Sequence, residues 1–165
     1  MKTFCKVHEI ISIDCTAEIG ALIRLAFADV AEEFHLTPLN SPNSPAFLSD
    51  ADMLDPLRRP GIVCFGAFRA DSLVGFAAIW PKEEGAYELT RLCVLPEHRH
   101  TGLGARLLQA ALQAAKKRGA YKMEIGIIAE NERLKAWYES YGFRATAERE
   151  YSHLPFRVCE MEREI

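Results

Sequence analysis

The sequence predicts an α/β fold in which one mixed sheet carries helices on its faces, and three features lead there. Apolar residues recur with period two in some segments and with period 3.6 in others, and the two kinds of segment are interleaved. Some strands are joined by short turn-forming stretches, as hairpins require, and others by a whole helix, as crossovers require. A chain of 165 residues, 49% hydrophobic and 26% charged, buries roughly 70% of the surface its unfolded form exposes. That suffices for one core, so a single domain over residues 1–165 is expected.

The elements follow in order. Cys5 to Ile13 alternates and is rich in Val and Ile, which suits an opening strand, and Thr16 can cap a helix after it. Ile19, Leu22, Ile23, Ala26, Phe27, Val30 and Phe34 form one helical stripe, with Glu18, Arg24, Glu32 and Glu33 on the other side. His35 to Pro45 has no period and several prolines, so it is a loop, and a short helix is expected around Ser49 to Leu57. Ile62 to Phe68 and Leu73 to Trp80 flank Arg69-Ala70-Asp71-Ser72 as the arms of a hairpin, and Ala86 to Leu95 is a third strand of this run. A helix opens at Leu103, buries Leu107, Leu108, Ala111, Leu112 and Ala115, and ends at Gly119. Tyr121 to Ile128 is a strand, Asn131 to Tyr141 a helix closed by Gly142, and Phe143 to Glu150 and Pro155 to Met161 are strands.

Charge and cysteine usage exclude whole classes of function. The net charge of −3 disfavours a broad grip on nucleic acid or an anionic membrane, so any anion site must be local. Cys5, Cys15, Cys64, Cys93 and Cys159 are an odd, scattered set without a C-x-x-C pair, read as free thiols in a reducing cytoplasm. Met1 to Glu9 lacks the apolar run of a signal peptide, and the longest apolar stretch, Gly61 to Trp80, is broken by Arg69 and Asp71. His98 and His100 have no third partner at a recognisable metal-ligand spacing, so no metal is expected.

The most informative stretch runs from Arg91 to Arg106. A strand ends at Pro96, a loop with Gly102 and Gly104 follows, and a helix begins there, which brings several unpaired backbone N–H groups to one point. Such a point attracts phosphate, and Arg99, His100 and Arg106 add positive charge or donors. Two glycines alone are equally well explained by a tight strand-to-helix connection. There is no G-x-x-x-x-G-K-[ST] and no dinucleotide fingerprint, which disfavours a nucleoside triphosphatase or a nicotinamide enzyme.

Arg99-His100-Thr101-Gly102-Leu103-Gly104 resembles the R/Q-x-x-G-x-G/A motif of the GNAT superfamily of N-acetyltransferases. Asn131 to Phe143 is similar to that superfamily's N…A-x-x-Y-x-x-x-G-F segment, and Glu88 to Pro96 to its fourth strand. The resemblance covers roughly Val63 to Phe143. It implies a GNAT-like, mostly antiparallel central sheet of about seven strands flanked by helices and splayed between strands four and five. It implies acetyl-CoA as acyl donor, with its pyrophosphate on the loop of Arg99, His100, Thr101, Gly102, Leu103, Gly104 and Ala105, and its pantetheine along the backbone of Leu92, Cys93 and Val94. Asn131 matches a cofactor-contacting asparagine, although a helix N-cap explains it equally well.

Acyl transfer to an amine needs a neutral amine, a stabilised oxyanion and a protonated leaving thiol. Tyr138 matches the family's general acid; at helical spacing it also belongs to a core stripe with Leu134, Trp137 and Tyr141. Glu88 matches the general base of some branches, or is a structural carboxylate paired with Arg91 or exposed at an edge. Cys93 as a covalent nucleophile is the weaker idea, because nothing near it in sequence lowers its pKa.

These residues point to an enzyme that acetylates a primary amine of a small molecule by direct attack in a ternary complex. The alternatives are acetylation of a protein N-terminus or lysine, and a non-catalytic acyl-CoA-binding regulatory module. The partners expected are therefore a small amine or a peptide, with neither nucleic acid nor membrane, and a homodimer is common in the superfamily. The loop His35 to Pro45 and the segment Tyr151 to Arg157 are expected to wall the acceptor site. Glu32, Glu33, Asp50, Asp52 and Asp55 either favour a cationic acceptor there or form a solvated acidic face.

Overall fold

The structure is a computed structural model describing residues 5–10 and 16–165. Seven strands form one open sheet in the order β1-β2-β3-β4-β5-β7-β6. They are β1 (Cys5–Ile10), β2 (Val63–Arg69), β3 (Ser72–Pro81), β4 (Ala86–Val94), β5 (Lys122–Ile128), β6 (Arg144–Arg149) and β7 (Val158–Glu164). All neighbours are antiparallel except β4 and β5, which are parallel because the helix α3 (Leu103–Lys117) crosses over between them. The other helices are α1 (Thr16–Glu33), α2 (Asp50–Leu54) and α4 (Glu132–Ser140). This is the mixed, mostly antiparallel sheet that the sequence predicts. Residues 11–15, which hold Cys15 and the predicted end of the first strand, and the side chain of Thr16 with its predicted cap, lie outside the described residues.

The sheet separates two apolar clusters. On one face Leu107, Leu108, Ala111 and Ala115 of α3 and Tyr138 of α4 pack against Leu89, Val94, Met123, Ile125 and Met161. On the other, Ile19, Leu22, Ile23 and Ala26 of α1, with Met53 and Leu54 of α2, cover Cys64, Phe76, Ala78 and Cys93. The stripe predicted for α1 is thus seated as far as Ala26, whereas Phe27, Val30 and Phe34 are only half-buried. The last strand lies three residues further on than predicted. Pro155 has no N–H to give a ladder, and the alternation that buries Cys159 and Met161 runs on to Glu164.

Candidate active site

β4 and β5 lie side by side only at Ala86–Lys122, Tyr87–Met123 and Glu88–Glu124. Beyond Glu88 the ladder ends, while β4 continues to Val94 and β5 to Ile128. The cause lies in β4 itself. Between the pairs Phe76–Cys93 and Ala78–Thr90 two residues, Arg91 and Leu92, stand opposite Ala77, a bulge in which Arg91 takes the left-handed φ of 57°. A bulge bends its strand, so β4 leaves β5 and opens the expected splay. The β5-facing backbone groups of Leu92 to Val94 are left without a strand partner, as an extended amide-bearing ligand would need.

At the open end of this split the chain turns through Pro96–His98 into α3. Gly102 is the N-cap residue, at a φ of 83° that favours glycine, and a Cβ built on it meets nothing within 4 Å. The first backbone bond of the helix is donated by Arg106 N–H to Gly102 O at 3.1 Å. The N–H groups of Leu103, Gly104 and Ala105 therefore precede the helical ladder and face the open side of the turn. Thr101 donates its hydroxyl to His98 O at 2.6 Å, and His100 also takes a positive φ, 59°. A Cβ built on Gly104 would stand 3.6 Å from the Trp137 ring, an ordinary van der Waals contact, so α4 packs close beside this position.

Arg99, expected to add positive charge or donors to the loop, is engaged within the fold. Its guanidinium donates to Val94 O at 3.0 Å and Ala26 O at 2.7 Å and is ion-paired with Asp29 of α1. Arg106 likewise donates to Cys5 O at 2.9 Å.

Tyr138 sits on α4 behind the split, only 5% exposed, edge-on to Trp137 at 4.9 Å and to Phe143 at 5.3 Å. It is a core residue, as its helical stripe predicts, and it lies near Cys93 on β4. Burial pushes the phenol well above its ordinary pKa, so it stays protonated at neutral pH. Asn131 caps α4, its side-chain oxygen accepting from Leu134 N–H at 3.1 Å. Cys93 is buried, and burial pushes its thiol up to about 12. A thiol held neutral is a poor nucleophile, which argues against the covalent alternative.

Glu88 occupies the closed end of the split. Its partner is Lys82, whose ammonium stands 3.2 Å from its carboxylate, and not Arg91, which has no carboxylate partner among the described residues. Lys82 and Glu88 line a cavity of about 300 Å³ with Glu124, Gly126, Thr146 and Glu160. Glu88 and Cys93 stand opposite Trp80 and Phe76, so across the bulge they are about four rises of ~3.3 Å apart, roughly 13 Å, and a proton would reach Glu88 only through water. The acids of α1 and the following segment are largely paired: Glu33 with Arg133, Asp50 with Arg24, Asp55 with Arg58. Among the described residues no group of three or more His, Cys, Asp or Glu could hold a metal ion, and no helix is long and apolar enough to cross a membrane.

Nothing in the sequence marks Asp29 as the partner of Arg99, on a helix that also carries Glu18, Glu32 and Glu33. The comparisons agree with this geometry. Residues 26–143 match the family model described as the acetyltransferase (GNAT) family. The chain is 30% identical over 118 residues to the uncharacterised N-acetyltransferase YsnE of Bacillus subtilis, covering 70% of this chain and 76% of that one. It is 28% identical over 106 residues to an uncharacterised N-acetyltransferase of Mycobacterium bovis, covering 64% and 68%. In structure it is similar to the ribosomal-protein-S18-alanine N-acetyltransferase of Escherichia coli, with a TM-score of 0.76 at 18% identity over 98% of this chain and 94% of that one. The PaiA N-acetyltransferase of Thermoplasma acidophilum in complex with coenzyme A gives 0.72 at 22% identity over 98% and 99%. With a matched domain, a sheet split at the bulge of β4 and a helix N-terminus open beside it, the chain belongs to the GNAT family of acetyltransferases.

Proposed function

We propose that the protein transfers an acetyl group from acetyl-CoA to the primary amine of a small molecule, by direct attack within a ternary complex. The observation that carries this reading is the end of the β4–β5 ladder at Glu88–Glu124, with Tyr138 buried behind the gap that follows. In this reading the N–H groups of Leu103, Gly104 and Ala105, with the turn of Arg99, His100, Thr101 and Gly102, take the pyrophosphate. The unpaired backbone of Leu92, Cys93 and Val94 takes the pantetheine and polarises the thioester carbonyl, which becomes the oxyanion when the amine attacks. Asn131 keeps the amide nitrogen of its side chain for the cofactor while its oxygen caps α4.

Tyr138 then gives its proton to the sulfur as the carbon–sulfur bond breaks, and the amine's proton leaves through water toward Glu88. A phenol that burial keeps protonated suits an acid better than a base. Direct attack is favoured because the one thiol on the acyl strand, Cys93, is held neutral.

Calorimetric titration of the reduced protein with acetyl-CoA and CoA, followed by a screen of free amines and peptides at equal concentration, tests this. One-to-one binding with turnover on a free amine supports it. A peptide outperforming every free amine would replace the acceptor with a protein amine. Binding without turnover on any acceptor, unchanged in Tyr138→Phe, would leave a non-catalytic acyl-CoA-binding module, and no binding would overturn the reading.

A further inference from the structure

The buried stripe of α1 runs Ile19, Leu22, Ile23 and Ala26 over the sheet, and continues at the same helical spacing into two acids, Asp29 and Glu33. Asp29 is ion-paired with Arg99, the first residue of the phosphate-loop motif, while the same guanidinium donates to Ala26 O of α1 and to Val94 O at the end of β4. One turn later Glu33 accepts two bonds of 2.9 Å from Arg133 in the first turn of α4. The end of α1 is therefore tied to the β4 side of the split through Arg99 and to the β5 side through Arg133, at the end where β4 and β5 no longer pair.

We infer that Asp29 is a positioning residue for the transferase reaction: it holds Arg99 against Val94 O and so fixes the end of β4 and the phosphate loop relative to α1. The inference rests on the acyl-CoA reading above. Its physical basis is the geometry of the guanidinium, a rigid planar fork that satisfies a carboxylate and two carbonyls at once. With the carboxylate removed, that fork loses its bearing on α1, and the carbonyl of Val94 and the turn Pro96–His98 lose the strut between them. Arg99 in this arrangement is no direct phosphate ligand, and the two roles lead to opposite results.

The experiment is a double-mutant cycle of Asp29→Asn and Arg99→Gln, read by calorimetric titration with CoA, by kcat and KM for acetyl-CoA, and by thermal melting. If Asp29 positions the loop, each single variant weakens CoA binding about ten-fold, the loss of one hydrogen bond to a charged group, and the double variant is no worse than either. Asp29→Glu, which keeps the carboxylate, restores most of the affinity. Were Arg99 instead a phosphate ligand held back by Asp29, Arg99→Gln alone would weaken binding and Asp29→Asn would leave it unchanged or tighten it. A lower melting temperature in Asp29→Asn with unaltered CoA affinity and KM would reduce the pair to a structural strut and overturn the inference. If Asp29→Asn does not fold, Arg99→Gln against Asp29→Glu decides the matter, and equal affinity in those two folded variants overturns it. Failure of the unaltered protein to bind CoA is a separate outcome, which brings down the acyl-CoA reading and this inference with it.

Discussion

Glu88 of β4 and Glu124 of β5 are the last residues at which the two strands pair, and everything the site can do depends on that ladder stopping there. Three residue pairs hold the strands together at one end, and the bulge at Arg91 turns β4 away at the other. The resulting gap exposes peptide groups in the middle of a sheet, where a ladder would otherwise have consumed them. Two cores, one on each face, keep the sheet rigid around it.

Replacement of Tyr138 by Phe removes the proton donor and leaves the aromatic packing against Trp137 and Phe143 in place. The expected loss in kcat is about 10² to 10⁴, with CoA affinity unchanged. Because burial raises the phenol's pKa, the unaltered enzyme keeps its acid above the ordinary phenol range. Its kcat should therefore rise as the amine deprotonates and show no alkaline fall up to about pH 10. An alkaline limb below pH 9 would count against Tyr138 as the acid.

Gly102 and Gly119 offer a matched pair, one at each end of α3, with φ of 83° and 84° and open space around a built Cβ in both cases. Alanine at either position costs about 1 to 2 kcal/mol for the left-handed backbone, seen as a lower melting temperature. Only Gly102→Ala should also weaken CoA binding, because only Gly102 stands in the turn that the proposed reading gives to the pyrophosphate. Equal CoA affinities in the two variants would place the phosphates elsewhere.

Cys93→Ala should retain more than about a third of the activity and leave the order of substrate addition sequential, since a buried thiol with a pKa of about 12 is unreactive at neutral pH. In the unaltered protein Cys93 and Cys64, both pushed up to about 12, should react with a thiol reagent only after unfolding. A trapped acetyl-thioester on Cys93 would refute direct attack.

Glu88→Gln keeps the shape at the closed end of the split and removes the carboxylate that pairs with Lys82. As terminal acceptor of the amine's proton, its loss should lower kcat roughly ten-fold or more without weakening CoA binding. Lys82→Met is the control, since it breaks the same ion pair and spares the carboxylate. If the two variants behave alike, Glu88 serves only the pair.

Asp29 contributes to stability as well. Arg99 holds its carboxyl below the ordinary carboxylate range, so the folded state favours the ionised form. That contribution is complete above the unfolded value near 4 and is lost as pH falls through the lower folded value. The melting temperatures of the unaltered protein and Asp29→Asn should thus differ most above about pH 4 and draw together as pH falls below it. Parallel curves throughout would mean that the pair carries no stability.

What the sequence by itself determined is what short-range periodicity and local chemistry encode. The stripe of α3, the hairpin of β2 and β3, the glycine at the N-cap of α3 and the cap at Asn131 all follow from residues within a turn or two of one another. Tyr138 was singled out by the resemblance of Asn131 to Phe143 to a family segment, whereas its helical spacing alone gave a core stripe. Only the tertiary structure decided which groups meet across the fold. Arg99 finds Asp29 seventy residues away, Arg133 finds Glu33 one hundred residues away, and Glu88 pairs with Lys82 where Arg91 stood nearer in sequence. Such contacts are set by how helices lie on the sheet, and no local pattern carries that information. The split has the same origin, for a left-handed residue at Arg91 is not written in its side chain, and it is the register of β4 against β3 that places the bulge there.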